Sequence, residues 1–374
     1  MKKIVLSFLI SFLFVSICIS QIDSTYRIGK SIKFNSTILE GEVTYHVHLP
    51  YGYEVTDETY PVIYLMNGHL MSTFANAVAT TEKLSSKRIP DMIVVGISNT
   101  GVARNYWACP NDSGKVDKAE NFYNFLDKEL LPNIKNKYRA NDYKILMGQS
   151  NTGLYVAYNL LSHPDLFDAY IISSPMFGWC SEYYLEQTIS FLQTNETTNK
   201  KLYISYGNMD YTQVLDHVED YKEILKQHSH KGLHWKLVKL ENTGHVPLMT
   251  LNNALLYFFS ECTMTSERKK YTIPEIEAHF KKLSKEYGFT VLPKSSILFD
   301  IAYDLKDEKK FDESIEMFNY LIRLYPNSAI NYYGKGIVYY LKNEIDLAKE
   351  CFNKSLEINP NYTRSKNILR RLNR

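Results

Sequence analysis

The sequence predicts an α/β fold, a mostly parallel sheet flanked by helices, followed by a small all-α domain. From residue 61, short apolar runs alternate with helical stretches. After about residue 265 the strand runs stop, and beyond residue 295 a pattern recurs with a period of 34 residues. The 374-residue chain is 45% hydrophobic and 22% charged, enough to bury a full-sized core and unlike a disordered chain. Its 43 basic and 41 acidic side chains give a formal net charge of +2. No strong basic excess exists to grip phosphates, so nucleic acid is not an expected partner. The 30 tyrosines are scattered and form no stacking platform.

At the N-terminus, Lys2 and Lys3 precede an apolar run from Ile4 to Ile19, and Ser20 stands before Gln21. Residues 1–20 read as a signal peptide removed on maturation, and the protein as exported, periplasmic or secreted. The run is short for a transmembrane helix, so no stable membrane span is expected. Lipidation at Cys18 is the weaker alternative, because the bulky Ile17 stands where the lipoprotein peptidase wants a small residue. The mature chain keeps Cys109, Cys180, Cys262 and Cys351. Export permits disulfides, but the four are far apart and none has CxxC spacing, so buried free thiols are expected.

Residues 21–60 begin the α/β unit, assigned to 21–264. Val43, Tyr45, Val47 and Leu49 alternate with Thr44, His46 and His48, a half-buried strand. His46 and His48 then share its solvent face. His228, His230 and His234 sit around a turn with no nearby carboxylate, so neither set is read as a metal site. The next strand runs are 61–66, 92–97, 144–147, 169–173, 202–206 and 235–240, several nearly continuous as buried parallel strands are. Phe122, Phe125, Leu126, Leu130 and Ile134 are spaced for one helix face, and residues 153–162 form another helix. Residues 265–294 are a helical linker containing a helix over 273–287. Residues 295–374 hold two tetratricopeptide-type repeats: Ala302, Leu305, Ser314, Phe318 and Pro326, then Tyr332, Gly336, Tyr339, Ala348, Phe352 and Pro360. Two repeats cannot bury a stack alone, so the 273–287 helix or the α/β unit must cover one end, and residues 364–374 cap the other.

The run 144–147 leads into Gly148-Gln149-Ser150-Asn151-Thr152-Gly153 and a helix from Leu154. A serine at such a strand–turn–helix apex sits above the strand ends, at a helix N-terminus, where it can act as a nucleophile. It needs a base, and the base an orienting acid. Asp210 follows the 202–206 strand and His245 the 235–240 strand, in the chain order serine, acid, histidine. Asp216 and Glu219 are alternative acids. The oxyanion would need two donors, the Asn151 N–H and, after Asn67-Gly68, the His69 N–H. The His69 side chain is read as incidental, with a second base as the alternative.

These stretches resemble the Putative esterase family of α/β-hydrolases, which includes esterase D, feruloyl esterases and enterobactin-type siderophore esterases. The resemblance covers roughly residues 25–262. It is carried by Tyr60-Pro61-Val62-Ile63-Tyr64-Leu65-Met66-Asn67-Gly68, Val94-Val95-Gly96-Ile97-Ser98-Asn99-Thr100, Phe125-Leu126-Asp127-Lys128-Glu129-Leu130-Leu131-Pro132, the serine turn, Pro164-Asp165-Leu166-Phe167, Ser174-Pro175, Gly207 to Asp210, and Gly244-His245. Exported members with C-terminal tetratricopeptide repeats resemble the whole chain. The resemblance implies Ser150 as nucleophile, His245 as base, Asp210 as acid, and the His69 and Asn151 amides as oxyanion hole, with no metal or organic cofactor. Arg104 matches a family arginine and Trp179, with Phe177, a family aromatic, which implies substrate binding. Thr152 departs from the family's usual glycine, and its β-branch is expected to crowd the strand–helix crossing. The leading functional reading is an exported serine esterase acting on a small-molecule ester, siderophore or polysaccharide-linked. The alternatives are a weakened or inactive hydrolase fold recruiting a protein partner through its repeats, and an acyltransferase.

Overall fold

A computed structural model describes residues 28–372 except 56, 105, 195–198, 229–231 and 265–270. The expected signal peptide, with Cys18, and also His230 lie outside the described residues. One eight-stranded sheet organises the chain. Its strands are β1 (Lys30–Ser36), β2 (Gly41–His48), β3 (Tyr60–Leu65), β4 (Ile93–Ile97), β5 (Ala140–Gln149), β6 (Ala169–Ser173), β7 (Lys200–Gly207) and β8 (Leu233–Leu240). They lie in the order β1-β2-β4-β3-β5-β6-β7-β8. The β1–β2 and β2–β4 pairs are antiparallel and every other pair is parallel. All six predicted runs are strands. The most continuous apolar ones, β3 and β4, are wholly buried at the centre, while β1 leaves Lys30 and Lys33 exposed at an edge.

Strand alternation builds two cores. Val62, Tyr64, Leu146, Tyr170, Ile172, Leu202 and Ile204 point into one, and Ile63, Leu65, Ile145, Met147, Ala169 and Ile171 into the other. α1 (Met71–Ser85) covers the second face. The first is covered by α2 (Asp117–Phe125), α3 (Leu131–Lys137), α4 (Asn151–Ser162), α5 (Ser181–Thr194) and α6 (Thr212–His228). Phe122, Phe125, Leu126, Leu130 and Ile134 are all buried as their spacing predicts, but a π-helical turn at Leu126–Leu130 separates α2 from α3. Pro132 lacks the N–H that would continue the α-helical ladder, which accounts for the break.

α7 (Met249–Phe258) and α8 (Ile273–Tyr287) return to the second face. Thr272 and Glu275 form a reciprocal capping box at the start of α8, and Gly288 ends it in the left-handed region. Two helix pairs follow, α9 (Ser295–Asp307) with α10 (Phe311–Leu324) and α11 (Ala329–Leu341) with α12 (Ile345–Ile358). Phe318 and Phe352 are fully buried at equivalent places in the two pairs, Phe352 lying against Gly336. α13 (Thr363–Leu372) closes the stack, with Ser365 Oγ donating to Ser355 Oγ at 2.9 Å. The other end is covered by both candidates together. One continuous apolar cluster runs from Ile63 and Leu65 on β3 through Phe258, Ile276 and Phe280 to Leu298, Ile301 and Phe318. Polar contacts rim the seam: Lys294–Asp91 at 2.7 Å, Lys87–Asp300 at 3.3 Å, and Ser296 Oγ to the Ser86 carbonyl at 2.9 Å. Among the described residues no helix is long and apolar enough to cross a membrane.

Two expectations are corrected. Cys109 and Cys180 form a disulfide, with Cα atoms 5.9 Å apart across a sequence separation of 71, while Cys262 and Cys351 remain buried thiols. Linear spacing hid the meeting of two loops that the fold brings together. Nor do His46 and His48 face open solvent, because α1 covers their side of β2. His48 bonds Glu82 at 2.8 Å and the Ile28 carbonyl at 2.8 Å, and the His46 ring lies 5.6 Å from Phe74. Burial lowers the His46 pKa, and the nearby His69 lowers it further.

The shared core predicts that Leu298→Ala destabilises the whole chain by about 2–5 kcal/mol, read as one shifted denaturant transition. Two transitions with only one shifted would mean separate units. Burial pushes the Cys262 thiol up to about 12, so neither it nor Cys351, also raised by burial, should alkylate at neutral pH in the folded protein. By peptide mapping after unfolding without reductant, Cys262 and Cys351 should be modified and Cys109 and Cys180 protected.

Candidate active site

β5 ends in a turn that holds Ser150 at φ 53° and ψ −124°, a conformation that costs a non-glycine residue about 1–3 kcal/mol. Local hydrogen bonds impose it. The Ser150 N–H donates to the Ser173 carbonyl at 2.9 Å, and the Gly153 N–H donates back to the Ser150 carbonyl at 3.0 Å. Thr152 Oγ1 accepts from the Gln149 N–H and donates to the Gln149 carbonyl, both at 2.8 Å. The crowding expected of Thr152 does not occur at the crossing. There the tight contact is backbone, since a Cβ on Gly148 would lie 2.3 Å from the Thr152 carbonyl oxygen. The threonine side chain instead braces the turn and accepts from Asn67 Nδ2 at 3.3 Å.

His245 follows β8, and its Nδ1 lies 2.7 Å from Asp210 Oδ1. The Asp210 carboxylate is fully buried, yet each oxygen has donors. The Tyr211 N–H donates to Oδ1 at 2.8 Å, and Ser174 Oγ donates to Oδ2 at 2.6 Å. Ser174 Oγ also accepts the Val246 N–H at 2.9 Å. A carboxylate acceptor holds the histidine proton on Nδ1 and leaves the Nε2 lone pair free as a base. Of the alternative acids, Asp216 is exposed on α6, and Glu219 is engaged by the Tyr206 hydroxyl and by Lys222. Among the described residues no hydrogen bond joins Ser150 Oγ to His245, a contact that such sites often tighten only around substrate.

On the other side of the serine, Asn67 turns at φ 59° and its N–H donates to Asn99 Oδ1 at 2.9 Å. Gly68 follows because nothing larger fits: a Cβ there would lie 2.2 Å from the Gly96 carbonyl carbon. This close approach delivers the His69 amide, and Asn151 is the first residue of α4, whose N–H has no intrahelical partner. Neither amide makes a hydrogen bond among the described residues. The His69 side chain is exposed.

An open cleft of about 640 Å³ runs from Asn151 to Arg104, Tyr106, Trp107 and Lys118. Arg104 therefore shares one cleft with Asn151. Trp179 stands edge-on to Trp107, ring centroids 6.0 Å apart. Burial pushes the Tyr106 phenol up, and Arg104 partly offsets it. Among the described residues no group of three or more His, Cys, Asp or Glu side chains could hold a metal ion.

Sequence reasoning missed Ser174 and Asn99. Both lie within the stretches that carry the family resemblance, and Ser174 carried a usable signal, a serine directly after a buried strand that neighbours the strand leading to Ser150. Its positive φ of 47° and its two partners emerge only in three dimensions.

Residues 36–236 match the family described as Putative esterase, and residues 329–362 match a tetratricopeptide repeat. The chain belongs to the Putative esterase family. It is 24% identical over 216 residues to the ferri-bacillibactin esterase BesA of Bacillus subtilis, covering 51% of this chain and 75% of that one. An IroE-like serine hydrolase structure from Shewanella oneidensis superposes with a TM-score of 0.68 at 22% identity, over 79% of this chain and 99% of that one. A structure of an uncharacterised protein from Capnocytophaga ochracea covers 90% of this chain and 99% of its own, with a TM-score of 0.59 at 16% identity. At these identities the two structures speak for the fold.

Ser174 tests the site. A hydrogen bond to a charged group contributes about 1.5–3 kcal/mol, so Ser174→Ala should slow fluorophosphonate labelling of the protein by about 10–100-fold. An unchanged labelling rate would mean that Ser174 does not orient the Asp210–His245 pair.

Proposed function

We propose that the chain is a serine hydrolase that cleaves carboxylic esters through an acyl-serine. The observation that carries this is the buried Asp210 carboxylate, held by Ser174 and bonded to His245 Nδ1, beside a serine in a strained strand-to-helix turn. His245 Nε2 takes the Ser150 hydroxyl proton as Oγ attacks the ester carbonyl. The N–H groups of His69 and Asn151 hold the oxyanion. His245 returns the proton to the departing alcohol, and water, activated by the same imidazole, releases the acid and restores Ser150.

A siderophore ester is the favoured substrate class, supported by the relationship to siderophore esterases and by a cleft pairing Arg104 and Lys118 with Tyr106 and Trp107. Those groups suit an anionic, planar ligand. Export is part of the proposal. It is supported by the N-terminal pattern of Lys2, Lys3 and the apolar run, and by the Cys109–Cys180 disulfide, which fits an oxidising compartment. The second reading, a fold that has lost its chemistry and works through its repeats, draws on the open Ser150–His245 contact.

Intact-mass spectrometry after fluorophosphonate treatment decides between them. One adduct on the parent, absent from Ser150→Ala and slowed in His245→Ala, is the expected result. No adduct on folded parent protein would overturn the hydrolase reading and favour the interaction one.

A further inference from the structure

Two loops that the sheet does not join directly meet beside the cleft, and the first of them lines it. One follows β4 and carries Arg104, Tyr106, Trp107 and Cys109. The other follows β6, makes a short turn at Phe177–Trp179, and continues through Cys180 into α5. The disulfide therefore falls two residues after one tryptophan and one residue after the other. The two indoles meet edge to face at 80°. Trp107 lines the cleft, while Trp179 is 61% exposed, far more than a tryptophan held by packing.

The anchors are unequal. Beside Trp107, the Ala108 carbonyl accepts from the buried Tyr184 hydroxyl at 2.8 Å. Phe177 fixes the start of the second turn by stacking on Tyr221 at 4.5 Å. Trp179, at the end of that turn, is tied down by Cys180. A single edge-to-face aromatic pair is worth less than the conformational entropy of the loop residues it would have to order. The covalent bond supplies what the ring contact lacks.

We infer that the Cys109–Cys180 disulfide is a specificity-determining element: it holds Trp179 against Trp107 as a fixed aromatic wall and so governs the fit of bulky esters. The inference rests on the esterase reading. Neither cysteine touches Ser150, His245 or Asp210, so a small ester that does not reach the wall is turned over equally well with the bond open.

The test compares ethyl acetate with naphthyl benzoate, large on both sides of the ester bond, using oxidised parent protein and the double variant Cys109→Ser, Cys180→Ser. Folded parent treated with dithiothreitol is the second arm; the S–S bond becomes two thiols as the reagent closes to its own cyclic disulfide. With the bond open, KM for naphthyl benzoate should rise about 3–10-fold, with kcat within about twofold and ethyl acetate unaffected. The Trp107–Trp179 exciton couplet in circular dichroism should disappear at the same time. An unchanged KM, a persisting couplet, or an equal loss on both esters would overturn the inference and leave the bond a general staple. If the parent turns over neither ester, the esterase reading fails instead, and the couplet still reports whether the bond holds the pair.

Discussion

A carboxylate taken fully out of water must have its lone pairs filled, and at Asp210 that requirement draws the site together. The groups that meet it come from beyond three neighbouring strands: Ser174 after β6, Tyr211 beside Asp210 after β7, and His245 after β8. Ser174 gives its hydroxyl proton to the Asp210 carboxylate and its lone pair to the Val246 amide, so it also locks the loop that carries His245. Removing any one partner would leave a buried charge underserved, and such groups cost far more unpaired than paired contacts return. The geometry around His245 is thereby over-determined by electrostatic need. That lets Ser174 and Val246 both occupy positive-φ conformations that free chains avoid.

Much of this was legible beforehand, for identifiable reasons. Buried parallel strands are nearly continuous apolar runs, so β3, β4, β6 and β7 stood out, and the elements that follow them had to lie at the carboxyl edge of one sheet. Ser150, Asp210 and His245 stood out because each follows a strand, in the chain order that α/β-hydrolases use. What stayed hidden depends on contacts between distant segments. Asn99 acts by accepting from the backbone of Asn67, and Cys109 finds Cys180 across the site. The position of a turn in a sequence carries no information about which other turn it touches. Thr152 is the instructive case. Chemical type suggested crowding, but the direction of its side chain decided the outcome, and direction belongs to the folded turn.

The second face of the sheet explains why the helical region is not a detachable appendage. Tyr143, on the strand that ends at the Ser150 turn, packs its ring against Phe259, Tyr287 and Phe289 at 5.8, 5.7 and 5.6 Å. Tyr287 in turn donates to the Phe258 carbonyl at 2.8 Å and receives Lys201 of β7 at 3.2 Å. The repeats begin only after this layer is in place, and they continue its apolar surface without a break. The two helix pairs thus bury their open end against the second face of the sheet.

That continuity sets the mechanical character of the molecule. Among the described residues the stack meets the sheet through close-packed side chains, and packed interiors are hard to compress and transmit strain. Anything that grasped the outer helices would therefore hold the cleft at a constant distance and bearing, as a tripod head holds a lens.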